Sequence, residues 1–72
     1  MIDLYGADSC TECKIAKMWM QKTPIEFRYI DVSTIPGFEG PIPMLMTEDG
    51  RELVGMGQIK QYVNQKLSEM GY

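Results

Sequence analysis

Cys10 and Cys13 lie three positions apart, where a short alternating apolar segment gives way to helical periodicity. A bridge between them closes a ring of only a few residues, too small to remove much freedom from the unfolded chain. The fold must therefore rest on its apolar core. A chain of 72 residues has room for one such core, so a single domain is expected over 1–72. The sequence contains no histidine, and two thiols alone do not make a four-ligand zinc site. Redox chemistry or a two-thiolate site for a soft metal remains.

An apolar fraction of 44% with 24% charged residues is that of a soluble folded chain, not a disordered one. Formal net charge is −3, and Lys14, Lys17, Lys22 and Arg28 are scattered among acids. A nucleic-acid interface would show a clustered basic stripe, so none is expected. No apolar run approaches the ~18 residues of a membrane span, and no basic-then-apolar leader opens the chain. A cytoplasmic protein without a membrane partner is the expectation.

Met1 to Tyr5 alternates as a strand does, and Gly6 ends it. Ser9-Cys10-Thr11-Glu12 has the form of a capping box, with Ser9 as N-cap and Glu12 three residues on. The helix that follows should turn Ile15, Ala16, Trp19 and Met20 inward and stop at Thr23-Pro24. Ile25 to Ile30 reads as a second strand. Asp31 to Gly40 reads as a turn-rich connector holding Pro36 and Gly37. Met44 to Met46 and Glu52 to Val54 read as strands joined through Glu48-Asp49-Gly50-Arg51. Gly55-Met56-Gly57 leads into a last helix with Ile59, Tyr62, Val63, Leu67 and Met70 on one stripe.

Cysteines at i and i+3 on a helix share a face, with Cβ atoms about 5–6 Å apart. A small adjustment closes that to a disulfide, so the pair can open and close without rearranging the fold. Ser9 as N-cap places Cys10 at the first helical position, where unpaired N–H groups and the helix dipole favour negative charge. Asp8 and Glu12 oppose this with charge of their own. Cys13, a turn deeper, is more shielded. The asymmetry makes Cys10 the attacking thiol and Cys13 the resolving one. The plainer alternative, two small buried hydrophobes, fits poorly with a helix start just after a strand.

These features resemble the glutaredoxin and glutaredoxin-like redoxin family, a branch of the thioredoxin fold. The resemblance rests on the strand ending in Tyr5, Cys10-Thr11-Glu12-Cys13, Ala16, Ile42-Pro43 before a strand, the Asp49-Gly50 turn, and Gly55 and Gly57. It implies an α/β, thioredoxin-like fold of order β-α-β-(loop)-β-β-α, a four-stranded mixed sheet with two main helices. It implies a cis Ile42–Pro43 bond beside the dithiol, with Ile42 offering its backbone to substrate as a short strand. It also implies a substrate-binding set of Ile42, Pro43, Gly57 and Gln58. The activity implied is thiol–disulfide oxidoreduction on protein or glutathione mixed disulfides, with ribonucleotide reductase as a family client. No bound cofactor or metal is implied, and a monomer is expected.

Two departures bear on the reductant. Related redoxins often carry a lysine three residues before the first cysteine, and Ala7 stands there. Their acidic residue in the first turn of the last helix has no counterpart near Gln58. Both groups bind glutathione, so glutathione and a thioredoxin-reductase-type enzyme both stand as reductants. A third departure is the missing helix between the second and third strands. Val32 to Gly40 spans roughly 30 Å extended, against ~10 Å between the strand ends, so a loop with at most one helical turn suffices.

The competing class is a Cu(I)-binding module, since copper-chaperone-like domains also place one C-x-x-C between a first strand and helix. Their order ends in a strand, whereas this chain should end in a helix. The seven methionines are assigned to core filling. Trp19 is assigned to core or partly exposed surface, and Tyr5 to strand-end packing or substrate contact. Phe38 should be buried, replacing packing lost with the missing helix.

Overall fold

Ile2, Leu4 and Gly6 are buried while Asp3 and Tyr5 are partly exposed, the alternation of a strand with one covered face. The computed structural model describes residues 1–71. The chain runs β1 (Ile2–Gly6), α1 (Thr11–Gln21), β2 (Phe27–Asp31), one 3₁₀ turn (Val32–Thr34), β3 (Met44–Met46), β4 (Glu52–Val54) and α2 (Gly55–Glu69). The sheet order is β2-β1-β3-β4. β1 and β2 are parallel, and the other two pairings are antiparallel. This four-stranded mixed sheet with two helices is the thioredoxin-like arrangement expected.

Register explains where the core sits. Leu4 pairs with Tyr29 on one side and Leu45 on the other, and Leu45 pairs with Leu53. Paired residues share a sheet face, so Tyr29, Leu4, Leu45 and Leu53 form one row across it. Ala16 and Met20 of α1 and Ile59 and Val63 of α2 join Ile2, Leu4 and Leu45 in a single apolar cluster. Both helices therefore cover the same face. The Lys60 ammonium, 5.9 Å from the centre of the Trp19 ring, links them at their edges.

The opposite face carries Asp3 and Arg28, joined by two hydrogen bonds of 3.1 and 3.2 Å across β1 and β2. Here the connector contributes its single 3₁₀ turn, capped by Asp31, and then lays Phe38 against Tyr5. The two rings stack 6.1 Å apart and 8° from parallel. Phe38 is half-buried and not fully buried, because one ring covers less than a helix would.

Met1 and Met18, assigned to core filling with the other methionines, are exposed, and two positions read as stripe residues also lie outside. Ile15 is 50% exposed and Met70 is 52% exposed. Cys13, Ala16 and Met20 form the buried stripe of α1, and Ile15 projects well away from it. Met70 falls beyond the last turn of α2. The second strand also starts later than expected. The Thr23 hydroxyl donates to the Met20 carbonyl and accepts from the Ile25 N–H, carrying the chain out of α1 before pairing begins at Phe27.

Candidate functional site

The cysteines sit where β1 hands over to α1. Cys10 N–H donates to the Ala7 carbonyl at 3.1 Å, closing a four-residue turn that contains Asp8 and Ser9. That turn displaces the helix start by one residue from the sequence expectation. Cys10, in extended backbone, is the N-cap of α1, and Ser9 is an exposed turn residue. Cys13 N–H donates to the Cys10 sulfur at 3.3 Å, so sulfur takes the role a hydroxyl or carboxylate oxygen usually fills.

The two thiols differ sharply in environment. Cys10 is partly exposed, and Cys13 is fully buried. Burial, then the hydrogen bond to Cys10, pushes the Cys13 thiol from 9.0 up to about 11, against a lowering by the Ala7 backbone. Cys13 is thereby held neutral. Such a pair has the chemistry to form a reversible disulfide between a partly exposed and a sheltered cysteine.

Gly6, read only as a strand end, makes this burial possible. A Cβ there would lie 2.8 Å from Cys13 Cβ, 2.8 Å from the Tyr29 hydroxyl and 3.1 Å from the Cys13 sulfur. Tyr29 was equally silent in the sequence, where it is simply an alternating strand residue. The signal available was its parity with Phe27 and the parallel pairing of β1 with β2, which puts Tyr29 on the face bearing Leu4 and Gly6.

The remaining candidates gather at the same end of the sheet. β3 runs antiparallel to β1, so its first residue, Met44, opposes Tyr5 at the end leading to the dithiol. Ile42 and Pro43 immediately precede it, and the bond between them is cis. Met44 also pairs with Val54, the last residue of β4, so α2 begins at this end too. Gly55, at φ +85°, makes the sharp change of direction there, and its N–H donates to the Pro43 carbonyl at 3.0 Å. Ile42 is partly exposed, Pro43 is buried, and Gly57 and Gln58 are exposed. The Gln58 side-chain oxygen accepts from the Val54 N–H at 3.0 Å. Tyr5 stacks on Phe38, on the face away from the helices.

Among the described residues no three His, Cys, Asp or Glu side chains converge as a metal site. No helix among them is long and apolar enough to cross a membrane.

The sequence is 32% identical over 74 residues to the global transcriptional regulator Spx of Enterococcus faecalis (strain ATCC 700802 / V583). The match takes in 97% of this chain, which spans about half, 56%, of that relative's length. No protein-family model matches the sequence. No solved structure matches it.

Proposed function

We propose that this chain is a small dithiol–disulfide oxidoreductase of the glutaredoxin-like kind. One observation carries the reading: the sulfur of a partly exposed Cys10 caps a helix and accepts the N–H of a fully buried Cys13. The Cys10 thiolate attacks one sulfur of a client disulfide and forms a mixed disulfide, and the first client thiol leaves. Cys13 then attacks Cys10, its proton passes to the second departing thiolate, and the Cys10–Cys13 disulfide forms. The client gains two electrons and the protein loses two.

Ile42, Pro43, Gly57 and Gln58 form the substrate-facing rim in this reading. Ile42 offers backbone groups to an extended client segment, and side-chain-free Gly57 lets a partner approach the start of α2. The clients are proteins with disulfides or glutathione mixed disulfides. The reductant is glutathione or a thioredoxin-reductase-type enzyme, the protein acts as a monomer, and no cofactor is bound.

The likeness to a protein named as a transcriptional regulator favours a second reading, in which the dithiol is sensed by a partner and not turned over. Both are tested by supplying glutathione with its reductase, or thioredoxin reductase, to the oxidised protein with a disulfide substrate. An oxidoreductase sustains cofactor consumption with one of the two systems. A switch module is reduced once and stops, and failure of both systems to reduce the protein contradicts the oxidoreductase reading.

A further inference from the structure

The Tyr29 hydroxyl and the Cys13 sulfur face the same small gap above Gly6, lying 2.8 and 3.1 Å from the one point where a Cβ at Gly6 would stand. Tyr29 belongs to β2, a strand with no other part in the site. Its ring is fixed from above by the Lys17 ammonium, 4.4 Å from the ring centre and one helical turn beyond Cys13. Both groups therefore border Gly6 beneath the stripe of α1 that carries Cys13 and Lys17.

We propose that Tyr29 serves the resolving step, its hydroxyl donating a hydrogen bond to the Cys13 sulfur as that sulfur gives up its proton and attacks the Cys10 mixed disulfide. The inference rests on the dithiol reading above. In the dithiol state burial keeps the Cys13 thiol protonated, while its backbone N–H donates to Cys10 Sγ. Resolution begins once Cys10 is bonded to a client. Cys13 must then become an anion in a buried place, where an unsupported charge is costly. Two potential donors border that place, the Ala7 backbone and the Tyr29 hydroxyl.

The balance is simple. The Cys13 S–H bond breaks, the Cys13–Cys10 bond forms, the Cys10–client bond breaks, and the proton ends on the client thiol. Tyr29 keeps its own proton throughout. It is suited to that, since burial first, and then the charge of Cys13, hold its phenol above the ordinary value of 10.0. Asp8, Asp31 and Cys10 add to the negative field around Tyr29. Cys10 and Glu12 do so around Cys13. Lys17 is the cation facing the ring.

Ellman's reagent separates the steps, because Cys10 attack releases one equivalent of coloured thiol and Cys13 resolution releases a second. Tyr29→Phe keeps the ring and its contact with Lys17. It should leave the first phase unchanged, slow the second by about tenfold or more, and move its pH midpoint upward. A fluorinated tyrosine at position 29, a stronger donor, should move that midpoint downward. Tyr62→Phe, the same change away from the site, should leave the second phase as it is. Identical second phases and pH profiles in wild type and Tyr29→Phe would overturn the proposal. A wild-type protein that releases no second equivalent would instead overturn the dithiol reading, and Cys13→Ser marks what that looks like.

Discussion

Gly6 and Cys13 are in a contact that only glycine permits: a methyl group at position 6 would come within 2.8 Å of Cys13 Cβ, a group anchored directly to the α1 backbone. Gly6→Ala therefore has to push α1 away from β1. The expected loss is about 1–3 kcal/mol, read from the midpoint of urea unfolding. Gly57 provides the contrast, because a Cβ there meets nothing within 4 Å on an exposed helix turn. Gly57→Ala should be neutral or stabilising by up to about 1 kcal/mol.

The capping arrangement gives a second expectation. Ser9 is a turn residue, so Ser9→Ala should change stability by less than about 0.5 kcal/mol. A true N-cap serine would cost about 1 kcal/mol on the same change. Thermal unfolding of Ser9→Ala decides between the two positions, and a full cap-sized loss would place the helix start at Ser9.

That displaced cap shows where the sequence stopped being informative. Ser9-x-x-Glu12 and an N-cap at Cys10 are both locally sensible, and local chemistry does not choose between them. The choice is made by β1, whose Gly6 admits Cys13 at one depth and one rotation, and by the turn that Ala7 closes on Cys10. The same rotation sends Ile15 outward, although its spacing to Ala16 and Trp19 suggested otherwise. By contrast, the element order, the Ile59–Val63 stripe and the Asp49-Gly50 turn were all legible. Each depends on a local signal: helical periodicity in α2, and at Gly50 a φ of +87° that favours glycine. Cys10 and Cys13 stood out through spacing. Gly6 and Tyr29 did not, because their proximity to Cys13 exists only once two strands and a helix have assembled.

Cys13 sets a pH dependence. Its thiol lies near 9.0 when unfolded and about 11 when folded, so the folded state holds the proton longer. The stabilisation is complete below 9.0 and is lost as pH rises toward about 11. At most about 2–3 kcal/mol is involved. Urea unfolding of the reduced protein across this window should show the fall. Cys13→Ala, which lacks the thiol, should show a shallower one, and equal slopes would contradict the burial of Cys13.

Phe38 should stabilise the face left without a helix. Phe38→Ala removes the ring stacked on Tyr5 and is expected to cost about 1–2 kcal/mol. Near-ultraviolet circular dichroism of the tyrosines should lose intensity alongside the shift in unfolding midpoint. An unchanged midpoint would mean that the ring covers nothing of consequence.

The roles of the two cysteines are tested most directly by limiting iodoacetamide on the fully reduced protein at neutral pH, followed by peptide mass mapping. A partly exposed Cys10 and a Cys13 thiol buried and neutral predict that label accumulates on Cys10 by at least about tenfold over Cys13. Equal labelling, or labelling of Cys13 first, would contradict the assignment of attacking and resolving thiols.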